Sequence, residues 1–214
     1  MKPLIIAECC QNHNGSQEIL KRMIHKAAES GADYVKIQAI RSKELTYRER
    51  FEEGVIDENG LVQTIKRPYG AELERLSKLD LTKEQERWFV EECQKAGIEP
   101  LTTVFSRTGV QEVKDMGYAA MKIASYDCAS YPLLKDVKEH WDKIFVSTGS
   151  TYDHEIQQAT KILEGSDFEF LHCVTIYPTP LEELHLNRLT YLKQFSENIG
   201  YSDHSKPETT DLWA

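Results

Sequence analysis

The sequence predicts an α/β fold of the (β/α)8 TIM barrel type, with about seven of the eight strands present in this chain, and three observations carry that prediction. Seven apolar runs alternate with helical patterns, as parallel strands under covering helices do: PLIIAE (Pro3 to Glu8), DYVKIQ (Asp33 to Gln38), EPLTTVF (Glu99 to Phe105), AAMKIAS (Ala119 to Ser125), KIFVSTG (Lys143 to Gly149), FEFLHCV (Phe168 to Val174) and NIGYSDH (Asn198 to His204). Apart from one long gap they recur every twenty to thirty residues or so, roughly the repeat of such a barrel. No GxGxxG or GxxxxGK[ST] phosphate loop follows any of them, which argues against an open dinucleotide-binding sheet.

Each element has local reasons. After the first run and a turn rich in Gln, Asn and Gly, Ile19, Leu20, Met23, Ile24, Ala27 and Ala28 recur at helical spacing, with Ser16 placed to cap the start and Gly31 to end the helix. A later helix opens at Thr82, where Gln85 completes a capping box, and closes before Gly97. The long gap runs from Ala39 to Leu81 and carries TYRERFEEGVIDENG and KRPYG. A connection of that length in a compact domain is usually functional or disordered, and either a partial lid over the barrel mouth or a mobile excursion is expected. One barrel domain over residues 1–214 is expected. A complete barrel takes about 250 residues, so a chain closing on PETTDLWA reads as a barrel without its last strand–helix unit.

Composition narrows the function. The chain is 40% hydrophobic and 29% charged with a formal net charge of -9, so no global basic field favours nucleic acid or an anionic membrane surface, and an anionic ligand has to be held locally. No apolar run approaches the roughly 20 residues of a membrane helix, and MKPLIIAE is too short and too soon acidic for a signal peptide; a cytoplasmic protein is expected. Five cysteines without a CxxC pair read as buried free thiols.

In a barrel of this type chemistry sits where strands end. Those ends carry Glu8, Lys36, Gln38, Thr103, Lys122, Ser125, Asp127, Ser147, Thr148, His172, Thr175, Ser202, Asp203 and His204. Lys122, in the strand-like run MKIASYD, is the sharpest case, because a lysine on a buried strand needs an anion or an oxygen at the strand's end. Two ammonium groups and several hydroxyls on one cavity make a phosphate site without a glycine-rich loop. Alternatively, Lys122 serves only an ion pair with Asp127 or Glu8, and the pattern leaves both readings open. His204 suits a metal or a simple hydrogen bond, His172 is expected to point into the packed barrel, and His13 to order the first loop.

Read in order, IIAECCQNHNGS, GADYVKIQ, GIEPLTTVFSR, MKIASYD, VSTGS, LHCVTIYPTP and IGYSDHS resemble the sialic acid synthase family across nearly the whole chain. The resemblance implies condensation of phosphoenolpyruvate with an N-acetylmannosamine-type sugar to give a sialic acid or related nonulosonic acid plus phosphate. It implies phosphoenolpyruvate contacts from Lys36, Thr103, Lys122, Ser125, Ser147 and Ser202, water or proton handling by Glu8, and sugar contacts from Gln38, Asp127 and Tyr177. It also implies a divalent ion, Mn2+ or possibly Mg2+, on His204 and a second histidine on strand eight, a C-terminal antifreeze-like domain that these residues lack, and a homodimer. Departures from the family's pattern are Cys9 and Cys10 where it has Ile-Gly, Thr175 where it has Asn, and Asp127 where it often has Glu.

Two other readings remain: an aldolase forming a Schiff base on Lys122, and a sugar-phosphate-binding barrel without catalysis. The acceptor stays open among N-acetylmannosamine, its 6-phosphate and a diacetamido sugar.

Overall fold

The computed structural model describes residues 2–60 and 62–206, so PETTDLWA lies outside the described residues. The chain divides into two compact units, one up to Ile98 and one from Glu99, and each is described by itself.

The N-terminal unit begins with β1 (Ile6–Cys10), α1 (Gln17–Glu29) and β2 (Tyr34–Ala39). β1 and β2 pair in parallel, with Glu8 opposite Lys36, and the register slips between Glu8 and Cys10. That slip is a bulge, and Cys10 takes a left-handed φ of 48° in it. Ser16 accepts a hydrogen bond from Ile19 N at the start of α1, which buries Leu20 and Ile24 one turn apart.

The connection after β2 is built of short elements: α2 (Arg50–Glu53), a two-stranded antiparallel hairpin of β3 (Val55–Ile56) and β4 (Val62–Thr64), and α3 (Tyr69–Ser77). α4 (Lys83–Ala96) then packs on α1, opened by the reciprocal Thr82 and Gln85 bonds and closed by Gly97 at φ 71°. Arg41, just past β2, forks onto both oxygens of Glu86 at 2.8 and 2.7 Å, and both side chains are buried. Ser42 follows and donates through its N–H and hydroxyl to Asp80. The long connection is thus pinned at its root to the segment that begins α4.

The C-terminal unit repeats strand and helix: β5 (Glu99–Val104), α5 (Arg107–Val113), β6 (Ala120–Ile123), α6 (Tyr131–Lys138), β7 (Lys143–Ser147), α7 (Asp153–Leu163), β8 (Asp167–Cys173), α8 (Arg188–Leu192) and β9 (Ile199–Ser202). The five strands pair in sequence order, all parallel. Leu133, Leu134 and Val137 of α6 and Ile156, Ala159 and Leu163 of α7 are buried, which is the apolar stripe each helix presents. The strand interiors are almost continuously buried, as sheets covered on both faces require.

The register sorts the strand residues by face. Thr103 opposes Lys122, Lys122 opposes Phe145, Ser147 opposes Leu171, and Cys173 opposes Ser202. Since side chains alternate along a strand, Thr103, Lys122, Phe145, Ser147, Cys173 and Ser202 share one face. His172 falls on the other face, where its Nε2 meets the Leu184 carbonyl at 2.7 Å. Its burial is as the sequence suggests, but it lies opposite the lysine face and not within it.

Two outcomes are expected. Glu86→Ala strands the Arg41 guanidinium in a buried site and is expected to destabilise the protein by about 3–5 kcal/mol in urea unfolding, whereas an apolar replacement of both partners costs much less. Cys10→Gly removes left-handed strain of about 1–3 kcal/mol at the cost of about 0.5–1 kcal/mol of glycine entropy, so unfolding free energy is expected to hold or rise; a loss above about 1 kcal/mol contradicts the strain.

Candidate active site

The ends of the C-terminal unit's strands gather hydroxyls around one ammonium group. Lys122 Nζ donates to Ser147 Oγ at 2.7 Å, and Ser147 is 1% exposed at the last position of β7. Thr103, equally buried, lies opposite Lys122 on β5. β6 stops at Ile123, and Ser125 to Asp127 turn instead as a 3-10 helix, with Asp127 N donating to Ala124 O. The sequence placed Ser125 and Asp127 on the strand; serine and aspartate favour turns, and the strand ends where they begin. The turn carries Ser125 Oγ to the backbone of the next loop, where it accepts from Gly149 N at 3.0 Å. A side chain at Gly149 would stand 2.7 Å from Thr175 Cγ2 and 3.0 Å from Ser125 Oγ, so only glycine allows the approach. Lys122, Ser147 and Ser125 are donors of the kind that a phosphate oxygen takes, and the Gly149 amide holds Ser125 Oγ in place.

In the N-terminal unit the carboxylate of Glu8 is held at both oxygens. Cys10 N donates to Oε1 at 2.8 Å from the bulge, and Lys36 Nζ donates to Oε2 at 2.7 Å. Lys36 is 2% exposed while Glu8 is 44% exposed, so the pair presents its carboxylate end. β1 runs on to Cys10, so Glu8 lies within the strand and not at its end as the apolar run suggested; the bulge, which apolar patterning does not register, gives its carboxylate a backbone donor. Gln38, half-buried, follows Lys36 on the same face of β2. Burial pushes the neighbouring Cys9 thiol up to about 12, helped by the Glu8 charge, which leaves it inert.

His204 follows β9. Its Nδ1 lies 2.6 Å from the Val174 carbonyl, which fixes the proton there, and its Nε2 meets the Tyr177 hydroxyl at 2.8 Å. The two rings stack at 4.0 Å. With the proton on Nδ1, Nε2 carries the lone pair, which faces the Tyr177 hydroxyl. Among the described residues no three His, Cys, Asp or Glu groups gather for an ion. Burial alone would raise the Cys173 thiol, but hydrogen bonding to His204 and Ser125 outweighs it and brings the thiol below its ordinary range. The same contact, with the Val174 carbonyl, holds His204 above its ordinary value against burial.

The structure thus brings the expected Thr103, Lys122, Ser147 and Ser202 to one face near the ends of β5, β6, β7 and β9, with Ser125 and the buried Asp127 in the turn after β6 and Tyr177 exposed beside His204. Sequence reasoning missed the backbone donors of Cys10 and Gly149 and the thiol of Cys173. The glycine in VSTGS and the Cys9–Cys10 pair were the available signals. His13 does order the first loop, accepting from Gly15 N at 3.0 Å. The described cysteines are free thiols, and Cys10 is the half-buried one. No described helix is long and apolar enough to cross a membrane.

A N,N'-diacetyllegionaminic acid synthase of Campylobacter jejuni is 31% identical over 219 residues, covering 96% of this chain and 61% of the relative. A pseudaminic acid synthase of the same species is 30% identical, covering 95% and 59%. The crystal structure of an N-acetylneuraminic acid synthetase from Leptospira borgpetersenii, solved with citrate, superposes with a TM-score of 0.82 at 30% identity over 99% of this chain and 68% of that one. The fold class is accordingly α/β of the (β/α)8 TIM type, and this chain spans about three fifths of the length of the curated relatives it matches. The profile of the NeuB family matches residues 23–214, and the chain belongs to that family.

Proposed function

We propose that the protein condenses phosphoenolpyruvate with an N-acetylmannosamine-type sugar, giving a sialic acid or related nonulosonic acid and inorganic phosphate. The observation that carries this reading is the donor cluster of Lys122, Ser147 and Ser125, the last held by the Gly149 amide, which suits a phosphate monoester; the synthase names of its relatives support it. In this reaction the methylene carbon of phosphoenolpyruvate attacks the sugar aldehyde carbon, whose oxygen takes a proton; water, losing a proton, adds at the oxygen-bearing carbon left cationic, and phosphate leaves from that carbon with C–O cleavage to give the keto acid.

The chain's residues act on charge and protons. Lys122 donates to a phosphate oxygen, and Thr103, Ser125, Ser147 and Ser202 add hydroxyl donors; as phosphate departs its charge grows, so each bond strengthens in the transition state. Lys36 has three donors and one is on Glu8, leaving capacity for the phosphate contact assigned to it. Glu8, fixed by Cys10 N and Lys36, orients the water and takes its proton. Gln38, Asp127 and Tyr177 bind the sugar. A divalent ion, Mn2+ or Mg2+, is assigned to His204 Nε2 with donors from beyond the described residues, and when bound it supplies Lewis acidity toward the sugar carbonyl.

Lys122→Ala is expected to weaken phosphoenolpyruvate binding by about 1.5–3 kcal/mol in calorimetry while leaving the fold intact; unchanged affinity refutes the assignment. Borohydride reduction in the presence of pyruvate is expected to leave Lys122 unlabelled. A reduced adduct there establishes the aldolase reading instead.

A further inference from the structure

We propose that the hydroxyl pair of Ser150 and Thr175 positions Ser125 for phosphate, an inference that rests on the phosphoenolpyruvate site read above. It comes from the loop between β7 and α7 in the C-terminal unit, TGSTY over residues 148–152, and from the groups that tie it down. Ser150 and Thr175 are positioning residues, acting through the Gly149 backbone.

Both ends of the loop are fixed. Thr148 donates to the Leu171 carbonyl of β8 through its N–H at 3.0 Å and its hydroxyl at 3.2 Å. Tyr152 N donates to Glu155 Oε2 at 2.8 Å where α7 begins. Between them stands Ser150 at a φ of 52°, a left-handed conformation that a residue with a side chain keeps only where its surroundings hold it. The loop after β8 does so: the Ser150 and Thr175 hydroxyls share a hydrogen bond of 2.7 Å.

The residue before Ser150 reaches the phosphate donors. Gly149 N donates to Ser125 Oγ at 3.0 Å, and the Gly149 carbonyl accepts from the Thr151 hydroxyl at 3.2 Å. Thr175 confines Gly149 as well, since a side chain there would stand 2.7 Å from Thr175 Cγ2 and 3.0 Å from the Cys173 carbonyl. Thr175 therefore holds two consecutive residues, Ser150 by its hydroxyl and Gly149 by its methyl. An oxygen that accepts from an amide keeps its own hydrogen, so a Ser125 hydroxyl held by Gly149 N offers that hydrogen to a phosphate oxygen. Ser150 and Thr175 are exposed and their bond competes with water, so the effect on binding is severalfold and not of many orders.

The test pairs hydrogen exchange at the Gly149 amide, read by NMR on the ligand-free 15N-labelled chain, with calorimetry of phosphoenolpyruvate binding to the same proteins. Ser150→Ala and Thr175→Val each remove one hydroxyl of the pair. Each is expected to speed Gly149 exchange while leaving exchange within β7 unchanged, and to weaken phosphoenolpyruvate binding by about three- to tenfold. Thr175→Ser keeps the hydroxyl and is expected to match the native chain in both measurements. In a Ser125→Ala background neither Ser150→Ala nor Thr175→Val is expected to weaken binding further, because the group through which they act is gone. A loss that persists undiminished in that background overturns the inference and makes the two hydroxyls ligand contacts in their own right. Gly149 exchange that neither substitution alters, in a chain that binds phosphoenolpyruvate, refutes this inference alone, whereas a native chain that binds no phosphoenolpyruvate refutes the synthase reading and the role within it together.

Discussion

A charged ammonium on a strand covered by protein on both faces has to reach oxygen at the strand's end, and this requirement organises both units. Lys36 is almost wholly buried and meets it with the Glu8 carboxylate across the parallel pair β1 and β2. Lys122 meets it with the hydroxyl of Ser147 at the end of β7. The two solutions differ in consequence. A carboxylate neutralises the ammonium and is itself aimed by it, whereas a hydroxyl accepts from the ammonium without bringing a charge of its own.

The rest of the C-terminal unit follows from the second solution. On the lysine face Phe145 lies between two charged regions: Lys143 with Glu169 near the strand starts, and Lys122 with Ser147 at the ends. The first region is internally paired and apolar packing separates it from the second, which lies where loops can build around it. Burial of α6 and α7 on the sheet holds the strand ends in register, and that register places Thr103, Lys122, Ser147, Cys173 and Ser202 on one face.

Much of this was legible because it depends on period and chemistry. The alternation of apolar runs and helical stripes gave seven strands in the right order, and Ser16, Thr82, Gln85 and Gly97 marked helix ends where the bonds are found. What the sequence hid depends on backbone geometry. The apolar pattern of AAMKIAS runs past the true end of β6, because Ser125, Tyr126 and Asp127 turn for local hydrogen-bonding reasons that strand patterning does not register. Cys10 in a left-handed bulge, with its N–H on Glu8, carries no signature beyond standing where glycine would be easier. The hairpin of β3 and β4 is too short and too exposed to show a period. The contacts of Cys173 with His204 join residues 31 apart in sequence, which spacing alone cannot reveal.

Phosphoenolpyruvate is proposed to be held by the donors around Lys122. The measurement that bears on this most directly is amide NMR of the 15N-labelled protein titrated with phosphoenolpyruvate. Binding at this site recruits the Ser125 hydroxyl that now accepts from the Gly149 amide, so the Gly149 resonance, with those of Ser125 and Thr148, is expected to shift early and saturably. Saturable binding that leaves these amides unmoved, with shifts confined to the groove lined by Gly165, Phe168 and Asn198 near the strand starts, would contradict the account.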